Sequence, residues 1–583
     1  MRISSQSLRR HLSLMWLTIF DVGAAQQNCR YIPGDSGWPS KSDWDLLNST
    51  VEGRLIETVP QAHVCHPEPY DALNQERCDI LRETWDYAQT FIPYPAEIIN
   101  PIFQNQSCNP FTPLERPCEL GNYASYSINV TVADDVLAGI RFAKQKNVRL
   151  VIMNTGHDYM GKSTGKGSLS LWTHNLKHTE IIESYYSEFY NGPAIKMGAG
   201  IISGEMLEIV ARHGYRAVGG TCASVGVVGG YAGGGGHSIL SGLYGLAADN
   251  VLEWEIITAR GEHIKATPSN NHSDLYWAMS GGGAGVWGVV LSMTYKIHPD
   301  GPIGGARLSF NTTSIDLDRY WEAVEAWFAW MPDYVDGMNG GNTVEYLISA
   351  SSFNAISFTV PGQGREAVDF LLGPYLAELA RLGVPYVYSS HTSVNFYDHF
   401  ERDLGPLPYG PWEANTLFSN RLFPRAVVQN ATTNAALARE VRNMAAYLDG
   451  YFFLGCESLS MPHDNHPPNS LLPAWRDTIG ICTVIGYWNW TIPFSEMLAR
   501  KEHLAFEIVP AFEGVTPGSG SYLNEVDSYY NGDWKREFYG HHYDRLLSVK
   551  NKYDPDHFFY AYTGVGSDSW TTDGAGRLCR TFQ

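Results

Sequence analysis

Apolar positions along this chain follow two successive rhythms. In the first half, short apolar runs alternate with helical spacing. Residues 126–132 read as a strand. Residues 134–146 read as a helix, with an acidic start and Val136, Leu137, Ile140 and Ala143 at helical intervals. Asn147 ends it, and the apolar run 148–153 follows as a strand, completing a β-α-β unit. Strands are expected over 169–171 and 195–197, and a helix over 205–213 closed by Gly214. Residues 251–258 and 263–266 form a hairpin around Ala259-Arg260-Gly261-Glu262, followed by a helix over 274–280 and a strand over 289–297.

After His298-Pro299-Asp300-Gly301-Pro302 the rhythm becomes α+β. A strand over 307–311 precedes a helix over 315–330 with Trp321, Val324 and Phe328 on one side. Strands follow at 343–349, 355–360, 451–459 and 479–490, and helices at 365–382 and 435–448. The first of these helices is expected to be interrupted near Gly373-Pro374. This pattern predicts an antiparallel sheet with helices on one side. A last helix is expected over 534–550. Residues 26–112 are rich in proline and loops, with short helices at 41–49 and 70–87.

With 583 residues the chain buries more than one domain. Its formal net charge is −20, and no basic run stands out, which argues against a nucleic-acid partner. Arg2, Arg9 and Arg10, the apolar stretch 12–20 and Gly23-Ala24-Ala25 read as a signal peptide cleaved near Gln26. That stretch is too short to span a bilayer, so no membrane partner is expected. Sequons at Asn48, Asn105, Asn129, Asn271, Asn311, Asn430 and Asn489 fit a glycosylated protein of the secretory pathway. The nine cysteines are an odd number, which leaves one thiol without a protein partner in an oxidising compartment. Cys108 with Cys118, and Cys456 with Cys482, are plausible local pairs.

Two stretches carry chemistry. In the first, the strand ending at Met153 breaks into Asn154-Thr155-Gly156, then His157, then Gly161-Lys162-Ser163. Such a glycine-bearing turn presents backbone N–H groups to an anion. The second, residues 219–236, is dense in glycine around Cys222, which suggests a backbone lying close against a flat or charged ligand. Gly283-Ala284-Gly285-Val286-Trp287-Gly288 matches G-x-G-x-x-G, but the order is helix, glycines, strand, the reverse of a dinucleotide fingerprint. His541, His542 and His557 lack metal-ligand spacing, and no metal is assigned.

Together GHDYMGKS and GTCASVGVVGGYAGGGGHS resemble the FAD-binding domain of the vanillyl-alcohol oxidase / p-cresol methylhydroxylase superfamily. The nearer resemblance is to berberine-bridge-enzyme-like oxidases, including fungal secreted alcohol oxidases. It covers about 118–299 and returns at about 522–566. It implies an α+β fold: a two-part FAD-binding domain with an antiparallel-sheet substrate domain. The expected divisions are a signal peptide (1–25), a disulfide-stapled extension (26–112), the FAD domain (113–300), the substrate domain (301–515) and a returning segment (516–583).

The resemblance implies FAD bonded through its 8α-methyl to His157 and through C6 to Cys222, which would leave eight cysteines to pair. Asn154, Thr155, Gly156, Asp158, Ser163, Gly220, Thr221, Ser224, Gly226, Gly229, Tyr231, Val289 and Asn524 are the expected cofactor contacts. Tyr231 replaces a histidine usual in relatives, and Val227 and Val228 lie where relatives control O2 access. In the closing motif Tyr522-Leu523-Asn524-Glu525-Val526-Asp527, Glu525 stands where relatives carry a tyrosine facing the active site. A carboxylate there would serve as base, with Glu345 and Tyr346 as fallbacks. The implied activity is oxidation of a small-molecule alcohol to a carbonyl with O2 reduced to H2O2, by a monomer. Sugar oxidation, oxidative cyclisation or dehydrogenation, and a non-redox flavin-binding role are the alternatives.

Overall fold

The computed structural model describes residues 29–338, 340–462 and 466–581. The expected signal peptide and its cleavage site lie outside the described residues. Among those described, no helix is long and apolar enough to cross a membrane.

The β-α-β unit forms as expected, with one strand inserted. Tyr126–Asn129 and Arg149–Met153 both run parallel to Ser168–Trp172, which lies between them, and Leu55–Glu57 adds an antiparallel edge. The intervening helix Ala133–Gln145 buries Val136, Ile140 and Ala143. A second, five-stranded antiparallel sheet has the order Thr179–Tyr186, Asn191–Gly198, Val289–Lys296, Val251–Ile257, His263–Ala266. Its edge strand Thr179–Tyr186 has no fully buried residue, so no apolar alternation announced it.

The third sheet has seven antiparallel strands. Its order is Val387–Ser393, Ile303–Asn311, Ser352–Pro361, Thr343–Ile348, Phe453–Ser458, Thr478–Tyr487, Thr416–Pro424. Trp327, on helix Leu317–Asp336, packs edge-on against Tyr346, Phe353 and Phe358 and anchors the helical layer. Two expectations need correction here. Helix Arg365–Leu382 runs unbroken through Pro374. The carbonyl that Pro374 leaves without its helical donor belongs to Phe370, a residue on the exposed side of the helix. Nor are the helices confined to one side. Phe396–Leu404 packs on the opposite face, where His399 meets Ser357 and Thr359.

The C-terminal helix also differs from expectation. It breaks at Gly540, with φ of +58°, into Trp534–Tyr539 and Tyr543–Tyr553. Buried Lys550 then donates to the carbonyls of Val286 and Phe559 and to Asp554, tying the closing segment to the first half. Disulfides join Cys29–Cys579, Cys65–Cys78, Cys108–Cys118 and Cys456–Cys482. Cys222 is the free cysteine among the described residues.

Candidate active site

A cavity of about 380 Å³ opens between the two glycine-bearing stretches and one face of the seven-stranded sheet. The strand Arg149–Met153 delivers Asn154, Thr155, Gly156, His157, Asp158 and Ser163 to its wall. Asp158 shapes this turn by accepting from the backbone N–H groups of Met160 (3.0 Å) and Ser163 (2.7 Å) and from the Ser163 hydroxyl (3.0 Å). Asn154 donates to the Ala199 carbonyl at 2.7 Å. Gly226 must be glycine here, since a Cβ would lie 2.1 Å from the Asn154 amide.

His157 Nε2 lies 2.8 Å from the Ser224 hydroxyl, and Cys222 Sγ lies 3.5 Å from the same oxygen. The two expected anchors therefore share one hydroxyl and face one cavity. Burial lowers the His157 pKa to about 4, so the imidazole is neutral at neutral pH. Burial also raises the Cys222 thiol, against hydrogen bonds from Ser224. Gly220, Thr221, Gly226, Gly229 and Tyr231 border the same space. A Cβ on Gly229 or Gly230 would meet nothing within 4 Å, so the backbone here is a bare shelf beside the cavity. Asn524 steadies that shelf by donating to the Gly230 carbonyl at 2.8 Å. Bare backbone, a neutral imidazole and a thiol are a donor set that fits a flat ring bonded at its edge.

The opposite wall holds a cluster of carboxyl groups around one imidazole. His237 Nδ1 donates to Glu457 at 2.6 Å, and Nε2 to Glu525 at 3.1 Å. Burial disfavours the cation, but the charges of Glu525 and Glu457 outweigh it and hold His237 well above its ordinary pKa. Glu345 pairs directly across the sheet with Glu457. Burial, and then the Glu457 charge, push its carboxyl up to about 8. The Tyr231 hydroxyl donates to the His237 carbonyl at 2.7 Å, so it positions this histidine through the backbone.

One expected cofactor contact lies elsewhere. Val289 is fully buried in the core cluster with Phe558 and Ile257, while its neighbour Val290 borders the cavity. Tyr346 borders the cavity, but its hydroxyl accepts from Ser458 and meets Met331 on the helix-covered side of the sheet. His237 and Glu457 were not singled out from the sequence. His237 stood inside the quoted glycine motif, but its partners are 220 and 288 residues away.

Residues 124–267 match the FAD binding domain family, and residues 521–566 match the berberine and berberine-like family. The chain is 51% identical over 579 residues to the bifunctional decalin synthase calF of Penicillium decumbens, covering 99% of this chain and all of that one. It is 49% identical over 554 residues to the VAO-type flavoprotein oxidase VAO615 of Thermothelomyces thermophilus, covering 95% of each. The crystal structure of the VAO-type flavoprotein MtVAO615 from Myceliophthora thermophila superposes with a TM-score of 0.92, covering 95% of this chain and 100% of that chain. Berberine bridge enzyme from Eschscholzia californica shares the fold, with a TM-score of 0.64 at 17% identity over 90% of this chain and 98% of that chain.

Proposed function

Because the chain belongs to the berberine-bridge and VAO-type family of FAD-linked oxidoreductases, we propose that it oxidises an apolar organic alcohol to a carbonyl while O2 is reduced to H2O2. In this reading FAD is held covalently by His157 and Cys222. One observation carries it: both anchors and the Glu345–Glu457–Glu525 cluster border the same cavity.

FAD when bound supplies the two-electron acceptor and passes both electrons to O2. The protein supplies proton handling and shape. Glu525 takes the proton of the substrate hydroxyl. His237 bonds to Glu525 from one nitrogen and to Glu457 from the other, which fixes the carboxylate and balances one negative charge. Glu345, protonated below about pH 8, is the second polar group facing the substrate. The rest of the wall includes Leu347, Phe418, Phe453, Ile481 and Ile485, with Tyr159 stacked on Phe418 at 4.4 Å. Such a wall excludes water and suits an apolar alcohol rather than a sugar. The likeness to a decalin synthase supports a natural-product substrate of secondary metabolism. Passage through the secretory pathway is supported by four disulfides and by sequon asparagines that all lie outside the buried core.

The test has two parts. Acid-precipitated protein should stay yellow, and its digest should contain flavin linked to both the His157 and Cys222 peptides. Colourless pellets with flavin in the supernatant would refute the tethers. The purified protein should then release peroxide with apolar alcohols and not with oligosaccharides. Peroxide from the sugars alone would overturn the substrate class.

A further inference from the structure

A second cluster of polar groups lies on the cavity-side face of the same sheet, away from the cavity. Strand Val387–Ser393 carries His391, and helix Phe396–Leu404 carries His399 and Asp403 one turn apart. Their nitrogen, nitrogen and carboxylate oxygen atoms all lie within 4.8 Å of one another. Asp403 Oδ2 is 3.7 Å from His391 Nε2 and 3.6 Å from His399 Nδ1. Both distances are too long for hydrogen bonds. Two ligands bound tetrahedrally at about 2 Å from one ion stand about 3.4 Å apart, close to what is seen.

Three facts separate this cluster from an ordinary buried network. First, His391 Nε2 and His399 Nδ1 are buried with no hydrogen-bond partner, and Asp403 Oδ2 between them accepts only a long 3.4 Å contact from Ser357. The side chains are 8%, 0% and 0% exposed. Second, the outer contacts orient the ligands. His399 turns Nε2 to the Thr359 hydroxyl at 3.0 Å, which leaves Nδ1 facing inward. Arg307 lies 3.4 Å from Asp403 Oδ1 and donates to the carbonyls of Arg402 and Asp403, so Oδ2 faces the histidines. Third, the strand beneath leaves room. Gly305 pairs with His391, and a Cβ there would lie 2.4 Å from His391 Nε2.

We propose that His391, His399 and Asp403 form a structural binding site for a divalent first-row transition metal, with zinc as its ion. Two imidazoles and one carboxylate are zinc ligands rather than calcium ligands, and a water completes a three-ligand site. The site is closed to substrate, so its role is mechanical. It pins helix Phe396–Leu404 to the sheet. That helix also packs on Ser203–Arg212, and the chain beyond it brings Trp412, Glu413 and Ala414 to the cavity wall. A metal here would fix the substrate sheet against the flavin-binding half.

The test uses the full holoprotein, incubated with zinc chloride and desalted, with zinc and flavin measured on the same sample. The expected result is about one zinc per chain, falling to less than about a tenth in His399→Gln and in Asp403→Asn. Stripping the wild type with a chelator should lower its melting temperature by several degrees with flavin still attached, and zinc should restore it. Cobalt in place of zinc should add visible bands beyond the flavin absorption. If either variant fails to fold, the wild-type chelation cycle and the cobalt spectrum decide alone. Wild-type protein that retains no zinc after desalting, and whose melting temperature ignores both chelator and zinc, would overturn the proposal.

Discussion

Two groups of imidazole and carboxyl share one face of the seven-stranded sheet, joined through adjacent strands. Glu457 pairs with Glu345, and Glu345 pairs with Ser357, whose hydroxyl touches His399 and Asp403. Yet the two ends behave oppositely. At the cavity, His237 bonds to two carboxylates and is held cationic. At the far end, burial lowers His391 to about 4 and His399 to about 3, with Arg307 and Arg402 adding to the effect. The residue types are the same. Distance and count of partners differ: two hydrogen-bonded carboxylates in one case, one carboxylate beyond hydrogen-bond reach in the other. A cation between two bonded carboxylates is a closed proton device, whereas neutral imidazoles facing a carboxylate are an open ligand set.

The largest effect expected from disturbing this comparison is at the cavity end. Glu525→Gln keeps a hydrogen-bond partner for His237 but cannot take a proton. Turnover should fall about 10²–10⁴-fold with flavin content unchanged, read by peroxide release and absorbance on the same sample. A variant that keeps near-normal turnover would move the base elsewhere in the cluster, with Glu345 next in line.

Removing the inner carboxylate should cost stability more than chemistry. Glu457→Gln leaves a buried cation with one carboxylate fewer, a loss of about 3 kcal/mol in unfolding free energy. Its sign with pH is specific. The His237 pKa is raised in the folded state, so its contribution is complete below the ordinary value near 6.5 and is lost as pH rises through the folded value. The variant should therefore melt earlier, and its alkaline decline, which starts near the same pH, should be complete at lower pH. Equal melting curves across that range would show that His237 is not charged.

Glu345 has the same sign with pH over a more acidic window, but its substitution acts in the opposite direction. Its folded pKa, pushed up to about 8 by burial and by Glu457, exceeds its ordinary 4.5. Between those values the unfolded chain releases a proton that the folded protein keeps, so stability falls as pH rises across the window. Glu345→Gln imitates the neutral form and should remove this decline, with the gain over the wild type growing toward the upper end. Melting followed from acid to mildly alkaline pH checks it, and a variant that declines like the wild type would refute the raised value.

What could be read in advance follows the same divide between local and distant. The His157 turn, the glycine stretch and the unpaired Cys222 were legible because each depends on neighbours in sequence. The pairs Cys108–Cys118 and Cys456–Cys482 were legible by proximity, whereas Cys29–Cys579 spans 550 residues. Val289 was chosen where Val290 faces the cavity, since a slip of one residue reverses the face of a strand. Tyr346, next to Glu345, turns its hydroxyl to the opposite face for the same reason. His399 and Asp403 have helical ligand spacing, but the short helix that carries them was not foreseen, and His391 lies on a separate strand. Tertiary pairing, not composition, assembled both clusters.

The smallest expected effect sharpens the comparison at the far end. Thr359 is fully buried, and its hydroxyl meets His399 Nε2 at 3.0 Å. Thr359→Val keeps the shape and removes that one partner, at a cost of about 1 kcal/mol. If the hydroxyl also sets which nitrogen of His399 faces inward, the variant should lose part of its zinc as well as this stability, since outer contacts of this kind change metal affinity about 10–100-fold. A variant that melts slightly earlier but holds zinc as tightly as the wild type would show that backbone packing alone orients His399. The flavin spectrum should not move in either case, because Thr359 touches no residue of the cavity wall named above.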